Sequence, residues 1–449
     1  MAGSNFQEMP LKPSFYNLFF ENDGRSIIFN TLTSAITELN ADVLRCIRDN
    51  NIGTLNEETI GMLENMGVIV DDDYNELQEY LGHYERSKDQ DGRIHAKLML
   101  STSCNLCCTY CYQNAAENPT NIMGDSAIRA FILWTENQFV NDTNVRELAI
   151  ELYGGEPLLA RVRLPSLFKE LNRLSDLYSI PVSYAIVTNG TLIDDLLIDI
   201  FVDNRVDMQI TLDGDKETHD SRRRWKSGAG TYEQIITSIR KILARGGSDL
   251  LQVRMNIDAN NLPKVSVLAN ELKTIGVKRF HCGWIHFREK AMPYSEHIIN
   301  TFDLDSKFDV ELYKVLNPLG YAHSPCDLER KMTCMFHWKN GFVFTPSMDV
   351  FKCDELIEQK EHCIGHVDND GEMALDRSTY DKFISRKPTD FTDCPSCRYL
   401  PQCGSGCPIK SLHSKGDLHS NYCETSCESV FRKVNNYINA VRFHGVGFD

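Results

Sequence analysis

The chain has 449 residues, with 63 acidic and 47 basic side chains and a formal net charge of −16 at pH 7. This length accommodates two to four domains, and the negative charge argues against a nucleic-acid partner, because phosphate binding needs a basic surface. The sequence has neither a signal-peptide pattern nor a long apolar span, so we expect a cytoplasmic protein with no membrane partner, whose 16 cysteines favour metal over disulfides.

The first 88 residues predict a small mixed unit without a cysteine cluster. Phe15–Phe20 and Arg25–Asn30 read as the strands of a hairpin, because Asn22-Asp23-Gly24 between them is a favoured turn sequence. Further elements are expected at Ala41–Arg48 (helix), Glu57–Asn65 (helix, N-cap Asn56), Val68–Val70 (strand) and Tyr74–Arg86 (helix). The polar stretch Arg86–Arg93 is predicted to be a linker.

A short cysteine-rich loop follows the apolar segment Lys97–Leu100. Cys104, Cys108 and Cys111 have C-x3-C-x2-C spacing, so three thiolates can surround one corner of a [4Fe–4S] cluster and leave one iron open. Structural zinc is the alternative, although C-x3-C suits it less well and no histidine follows at finger spacing. Cys107 lies outside this spacing and is expected to pack as a small apolar residue.

Strand and helix patterns alternate from residue 94 to residue 310. The strand patterns cover residues 96–102, 147–153, 183–188, 207–212, 251–258 and 278–284, with helical stretches such as Asp125–Val140 and Gln234–Ala244 between them. This alternation predicts a parallel sheet with right-handed crossovers. Six such units suit a partial (βα)6 barrel, whose open side would admit a large substrate.

Three later motifs each lie at the carboxyl end of a predicted strand. They are Gly154-Gly155-Glu156-Pro157, Asn189-Gly190-Thr191 and Thr211-Leu212-Asp213-Gly214. Together with the cysteine loop and its aromatic Tyr110, they resemble, in the same order, the motifs of the radical S-adenosylmethionine (SAM) superfamily. Barrel active sites lie at this end of the strands.

The resemblance implies a [4Fe–4S] cluster on Cys104, Cys108 and Cys111, with SAM chelating the fourth iron. It also implies that SAM is bound by Tyr110, Gly154, Gly155, Glu156, Pro157, Asn189, Thr211 and Asp213. SAM cleavage in this family yields a 5′-deoxyadenosyl radical that abstracts hydrogen from the substrate. The basic run Arg222–Lys226 is expected to be a solvated loop, or alternatively to contact an acidic peptide or the SAM carboxylate.

Ten of the cysteines lie beyond residue 325, in the predicted tail domain of residues 311–449. Zinc ribbons are one reading of its C-x2-C element. The tail also resembles the SPASM extension of radical SAM enzymes, although Met348 stands where that family has glycine. The resemblance implies two auxiliary [4Fe–4S] clusters, three clusters in all. One would use Cys326, Cys334, Cys353 and Cys407, and the other Cys394, Cys397, Cys403 and Cys423, with Cys427 as a possible replacement for Cys423 and Cys363 spare.

The fold expected overall is α/β, with a winged-helix-like unit at 1–88, a partial barrel at 94–310 and a SPASM domain at 311–449. By layout, the first unit resembles the recognition domains of peptide maturases, which add a precursor's leader as a strand to a sheet edge. A structural cap over the barrel is the alternative. A reductant such as flavodoxin or ferredoxin is a further expected partner.

The leading hypothesis is a maturase that oxidises a residue of a ribosomally made peptide, forming a thioether or carbon–carbon crosslink. The second is a sulfatase-maturating enzyme that makes formylglycine. For that enzyme Asp354, next to Cys353, would be the general base, unless it is only a surface or hydrogen-bonding carboxylate. A non-catalytic iron–sulfur electron-transfer protein is the third hypothesis.

Overall fold

The computed structural model describes residues 10–22, 25–113, 115–285, 307–324, 332–423, 430 and 432–438. The predicted ligand Cys326, the alternative ligand Cys427, and the turn residues Asp23 and Gly24 lie outside these ranges. Backbone contacts divide the chain into two compact units. The first combines Met1–Lys88, Pro325–Thr333 and Arg386–Asp449, and the second combines Asp89–Ser324 with Cys334–Ser385.

The first unit begins with the strands and helices that the sequence predicts. Its elements are β1 (Leu11–Pro13), β2 (Asn17–Asn22), β3 (Arg25–Asn30), β4 (Ile36–Leu39), α1 (Ala41–Arg48), α2 (Glu57–Asn65), β5 (Ile69–Asp71) and α3 (Glu76–Ser87). Strands β2, β3 and β4 form an antiparallel sheet in that order. Asn56 caps α2 as expected, because its side chain accepts a hydrogen bond from the Thr59 amide at 2.8 Å.

The second unit contains the predicted parallel sheet. Its elements up to residue 316 are β6 (Arg93–Ser101), β7 (Leu106–Cys108), α4 (Asp125–Asn141), β8 (Glu147–Gly154), α5 (Leu164–Tyr178), β9 (Val182–Thr188), α6 (Asp195–Asp203), β10 (Asp207–Thr211), α7 (Lys216–Arg222), β11 (Arg223–Trp225), α8 (Tyr232–Ala244), β12 (Leu251–Ile257), α9 (Val265–Ile275), β13 (Arg279–Trp284) and α10 (Lys307–Leu316). All six predicted strands are present and pair in parallel, in the order β13-β12-β10-β9-β8-β6.

Strands β8 and β12 alternate buried and partly exposed residues along their whole length. In β12, Val253, Met255 and Ile257 are buried, whereas Gln252, Arg254 and Asn256 are only partly so. This period of two places apolar side chains on one face of the sheet and polar ones on the other. The polar face carries the candidate active site.

The tail contributes strands to the same sheet, which the sequence reading missed. The remaining elements are β14 (Gly341–Phe344), β15 (Asp349–Phe351), β16 (Gly365–Val367), β17 (Met373–Leu375), α11 (Arg377–Ser385), α12 (Leu400–Cys403) and α13 (Pro408–Lys415). Strand β14 pairs in parallel with β6, and β15, β16 and β17 follow antiparallel, which gives a sheet of ten strands among the described residues. Residues 334–385 therefore pack with the predicted barrel.

The rest of the tail packs with the N-terminal segment instead. Phe391, Cys394 and Leu400 share one apolar core with Tyr80 and Tyr84 of α3. The Thr31 hydroxyl donates a 2.6 Å hydrogen bond to the Arg398 carbonyl. Both compact units thus contain residues from beyond the predicted boundary at residue 311. The division into three domains stays a prediction.

Replacing Tyr80 by alanine tests the shared core of the first unit. Tyr80 is fully buried against the tail, so Tyr80→Ala should lower the free energy of unfolding by about 3–5 kcal/mol and reduce the iron retained per chain. Tyr74→Ala, at a side chain that is 39% exposed, is the matched control. Urea unfolding and iron analysis would contradict the shared core if both variants behaved alike.

Candidate active site

The cysteine loop is fixed at its start by two glycines of the neighbouring strand end. The amides of Gly155 and Glu156 donate to the carbonyls of Ser101 and Ser103 at 2.8 and 2.9 Å. A Cβ at Gly154 would lie 2.2 Å from the Ser101 oxygen, and one at Gly155 2.3 Å from the Ser103 oxygen. Only glycine allows this approach, and Gly154 also has φ +145°. The glycines therefore determine where Cys104 begins the loop.

The second half of the loop is fixed by the basic run. Strands β7 and β11 pair antiparallel, which places Cys108 opposite Arg223, and the Thr109 amide donates to the Arg222 carbonyl at 3.0 Å. Arg222 and Arg223 are buried, at 5% and 8% exposure. The expectation of a solvated loop is wrong for these two residues, because β11 pairs with the cysteine loop and turns them inward.

Cys104, Cys108 and Cys111 line one cavity of about 520 Å³. Burial raises the pKa of Cys104 to about 12 and that of Cys108 to about 11, and Arg223 acts in the opposite direction on both thiols. The Arg223 Nε atom is buried and has no protein acceptor among the described residues. A buried cation with a spare donor beside three thiols fits an anionic iron–sulfur group.

No group of three or more His, Cys, Asp or Glu side chains within the described ranges is arranged to hold a metal ion by itself. The assignment of the cysteine triplet therefore rests on the shared cavity and on the chemistry of its thiols. These residues would hold three irons of a cluster and leave one open.

Glu156 and Asn189 hold the cavity floor together. The fully buried Glu156 carboxylate accepts from the Thr188 hydroxyl at 2.6 Å and from the Asn189 amide at 2.8 Å, and burial raises its pKa. The Asn189 side chain donates to Asn105 of the cysteine loop at 2.8 Å. Two predicted cofactor residues thus connect the second and third strand ends to the cysteine loop.

Tyr110 and Asp213 form a second buried connection. The Tyr110 hydroxyl donates to the Asp213 carboxylate and accepts from Arg223 at 2.6 Å and from Asn256 at 3.1 Å. Asp213 also accepts from the Asn256 amide at 3.0 Å. Burial raises the pKa of Tyr110 well above its usual value. Its hydroxyl is thus held in place, and the ring lines the cavity.

The predicted cofactor residues occupy two layers. The cavity wall includes Tyr110, Gly154, Gly155, Asn189 and Thr211. Glu156, Pro157 and Asp213 are buried behind it, and the contacts described above make Glu156 and Asp213 supports of the wall. Direct contact with SAM stays a prediction for each of them.

A polar cluster on the β6–β8 side of the cavity contains the predicted base Asp354, and its other members were missed from sequence. Lys97 Nζ lies 3.2 Å from Asp354 Oδ1 and 3.4 Å from Glu151 Oε2. The Tyr112 hydroxyl donates to Asp354 Oδ2 at 3.1 Å and lies 3.1 Å from the Tyr153 hydroxyl. Burial alone would lower the pKa of Lys97, but the two carboxylates raise it overall. The available signal was the strand period of two, because Lys97 and Met99 lie on one face of β6 and Lys97 faces the cavity.

The tail cysteines fall into two described groups. In the first unit, burial raises the pKa of Cys394 to about 11 and an Asn421 hydrogen bond lowers it, with Cys403, Cys423 and Cys397 close enough to raise it further. The Tyr422 amide donates to the Ser405 carbonyl at 3.1 Å, which places Cys423 beside the Cys403–Cys407 loop. All four residues predicted for one auxiliary cluster are therefore neighbours.

The ligands predicted for the other auxiliary cluster are only partly tested. Cys334 and Cys353 are near enough in the second unit for Cys334 to affect the Cys353 thiol, whose pKa burial raises well above its usual value. Cys407 precedes α13 in the first unit, and Cys326 is not described. This ligand set stays a prediction.

Comparison with known proteins agrees with this geometry. The profile of the radical SAM superfamily matches residues 98–259, which span the cysteine loop and all three motifs. The chain carries a radical SAM domain. Residues 98–259 therefore form the domain of a radical SAM enzyme, and that superfamily uses a [4Fe–4S] cluster and SAM.

The relatives with curated functions include a sulfatase-maturating enzyme and a bacteriocin biosynthesis protein. The chain is 23% identical to the cysteine-type anaerobic sulfatase-maturating enzyme of Clostridium perfringens, over 74% of this chain and 93% of that one. It is 24% identical to the antilisterial bacteriocin subtilosin biosynthesis protein AlbA of Bacillus subtilis, over 74% of this chain and 70% of that one.

Two solved structures share the fold. One is anSMEcpe with bound AdoMet and the Cp18Cys peptide, with TM-score 0.59, 18% identity and coverage of 79% of this chain and 99% of that one. The other is Streptococcus suis SuiB bound to S-adenosylmethionine, with TM-score 0.55, 14% identity and coverage of 92% of this chain and 99% of that one. Within the part of the radical SAM chain that the structure describes, no helix is long and apolar enough to span a membrane.

Replacing Gly154 by alanine tests the glycine contact. The new Cβ would meet the Ser101 carbonyl, so Gly154→Ala should displace the cysteine loop and reduce reconstituted iron and SAM binding by about tenfold or more, the cost of a shift of over 1.4 kcal/mol. Gly124→Ala, where nothing lies within 4 Å of the new Cβ, is the control. Iron analysis and equilibrium dialysis of SAM measure the effect, and equal behaviour of the two variants would contradict it.

Proposed function

We propose that this radical SAM enzyme is a maturase that oxidises a residue of a ribosomally made precursor peptide and forms a thioether or carbon–carbon crosslink. The observation that carries the proposal is the N-terminal sheet, which stands ahead of the radical SAM domain and offers strand edges to a peptide. The fold likeness to SuiB, which reaches 92% of this chain against 79% for anSMEcpe, supports it.

The sheet edge at β4 has the backbone geometry that strand addition needs. Strand β4 is an outer strand and pairs only with β3 in the described sheet. The Asn30 amide bonds the Ala35 carbonyl at 2.8 Å, and hydrogen-bonded pairs alternate along an antiparallel ladder. The amides of Ile36 and Glu38 therefore point away from β3. A leader peptide added here would pair with them.

SAM, when bound, would supply a 5′-deoxyadenosyl radical, which can take one hydrogen atom from the substrate. The protein's part is to hold the peptide in the cavity and to accept the second hydrogen of the two-electron oxidation as a proton. Asp354 is 19% exposed at its side chain and accepts from Tyr112, so its carboxylate is both reachable and oriented. The tail cysteines would hold two auxiliary clusters that can accept the remaining electron. With the cluster on the cysteine loop, this makes three clusters.

A sulfatase-maturating activity is the second candidate. The contact that favours it is the Lys97–Asp354–Tyr112 cluster, because a held carboxylate beside the cavity can take a proton from a cysteine thiol or serine hydroxyl. The likeness to sulfatase-maturating enzymes of known sequence supports it as well. Both candidates share the radical step and differ in the product.

Mass spectrometry of a small peptide encoded beside this gene, co-expressed with and without the enzyme, tests the main proposal. A crosslink removes two hydrogens and blocks fragmentation across a loop. Conversion of cysteine to formylglycine in a sulfatase motif would instead select the second candidate. An unmodified precursor together with a modified sulfatase motif would contradict the maturase proposal.

A proline on the β4 edge tests leader binding. Glu38→Pro removes an outward amide and should raise the Kd for the precursor by about tenfold, since lost backbone bonds of this kind are worth about 1 kcal/mol each and proline also blocks the added strand. Glu38→Ala, which loses the Arg25 ion pair but keeps the amide, is the control. Fluorescence anisotropy with labelled precursor measures both.

An unaltered Kd for Glu38→Pro would place the leader elsewhere. Deletion of residues 1–88 is a poor test, because it would also strip Tyr80 and Tyr84 from the core around Cys394.

Asp354→Ala tests the proton acceptor. We expect 5′-deoxyadenosine formation to continue while product falls by about 100-fold, within the range for loss of a general base. Asp349→Ala, a carboxylate on β15 that bonds the exposed His366, is the control. Liquid chromatography of 5′-deoxyadenosine and product would exclude the role if Asp354→Ala kept full product yield.

A further inference from the structure

The cavity wall opposite Lys97 carries a cation that no described carboxylate neutralises. The charged residues on the wall are Lys97, Glu151, Arg223, Arg254 and Glu355. Lys97 pairs with Glu151 and Asp354, and Arg223 lies among the cysteines and Tyr110. Arg254 forms no ion pair with any carboxylate of the described chain; its one side-chain hydrogen bond runs from Nε to Asn256 at 2.8 Å.

The guanidinium of Arg254 is held in a built position. Arg254 faces the cavity from β12, in register with Thr211 of β10 and His281 of β13. Its Cζ and Nη2 atoms lie 2.8 and 2.3 Å from where a Cβ of Gly283 would be, so glycine makes room for it. The bond to Asn256 fixes Nε and leaves the two Nη groups for a ligand.

We propose that Arg254 binds a carboxylate of the peptide substrate, an Asp or Glu side chain next to the residue that reacts. This rests on the proposed maturase function. A peptide that fills the cavity displaces water from Arg254, and a desolvated guanidinium without an acceptor is costly. A carboxylate can accept one hydrogen bond from each Nη group, in the paired geometry that arginine favours.

The charge distribution across the cavity gives this contact a direction. On the β6–β8 wall Lys97 lies beside Glu151 and also pairs with Asp354, so this side carries more negative than positive charge and repels an acidic side chain. Among the described wall residues of β12, Arg254 is the charged one. An acidic neighbour of the reacting residue is therefore drawn to β12, which presents the other side of the peptide to Asp354.

The carboxylate of SAM is the competing source of the same chemistry. Arg223 argues against SAM as the ligand of Arg254. The buried Arg223 guanidinium lies beside Cys108 with a spare Nε donor, and it already supplies a cation at the cysteine end of the cavity. Arg254 is free for the peptide if SAM is held at that end.

A charge reversal tests the proposal on the precursor encoded beside this gene, with its leader kept. Reconstituted wild-type enzyme and Arg254→Glu are incubated with SAM, reductant and a library of that precursor in which the positions flanking the reacting residue are randomised. Modified peptides are sequenced by tandem mass spectrometry. The matched control is Arg240→Gln, at an exposed arginine on α8.

We expect wild type and Arg240→Gln to enrich Asp and Glu about tenfold at one flanking position, because one charge-assisted hydrogen bond gives selectivity of about this size. Arg254→Glu should enrich Lys and Arg at that same position. Peptides modified without any charge preference would overturn the proposal and leave the maturase function standing.

Two further outcomes count against the proposal. An Arg254→Glu enzyme whose Kd for SAM rises tenfold in equilibrium dialysis, with the wild-type flanking preference retained, would assign the carboxylate to SAM. A library in which wild type modifies no peptide, although 5′-deoxyadenosine forms, would overturn the inference together with the function on which it rests.

Discussion

The close approach of two strand ends is the constraint on which the rest of the site depends. The backbone of Gly154 and Gly155 lies against that of Ser101 and Ser103, near enough that any Cβ would collide. Two amide–carbonyl bonds hold the strand ends in this position. The cysteine loop leaves from one side of the contact and Glu156 from the other, so one backbone contact aligns the metal ligands with the buried support of the cavity floor. A side chain here would separate the ligands from the cavity.

The polar face of the sheet follows from strand register. Residues opposite one another on parallel strands point to the same face, and the register pairs Lys97 with Glu151 and Thr211 with Arg254. Each pair lies one step from apolar residues that pack against the helices. The sheet thus places the polar strand residues of the cavity wall, and the cysteine loop completes that wall. This suits radical chemistry, since the reacting groups must be held still and water kept out.

Much of this could be read from the sequence, because the decisive signals are local. The six strands and the cap of α2 by Asn56 depend on neighbouring residues alone. The burial of Arg222 and Arg223 does not, since it depends on a strand pairing with Cys108 about a hundred positions away. The strand Gly341–Phe344 is short, and only its pairing with β6 defines it. The contact of Lys97 with Asp354 joins residues 257 positions apart, and no local pattern announces it.

Two arginines that line the cavity illustrate how charge can be divided by task. Arg223 is buried among thiols and a tyrosine, an environment that suits an anionic iron–sulfur group. Arg254 is less buried and open to the cavity, so water can solvate its guanidinium until a ligand binds. A buried cation such as Arg223 stabilises a group that stays bound, here the iron–sulfur cluster. An open cation such as Arg254 selects a ligand that exchanges, here the peptide substrate. Gly283 and Asn256 set the position of Arg254, whereas Tyr110 and the pairing with Cys108 set that of Arg223. A change in substrate charge therefore requires a change at Arg254 and leaves Arg223 in place.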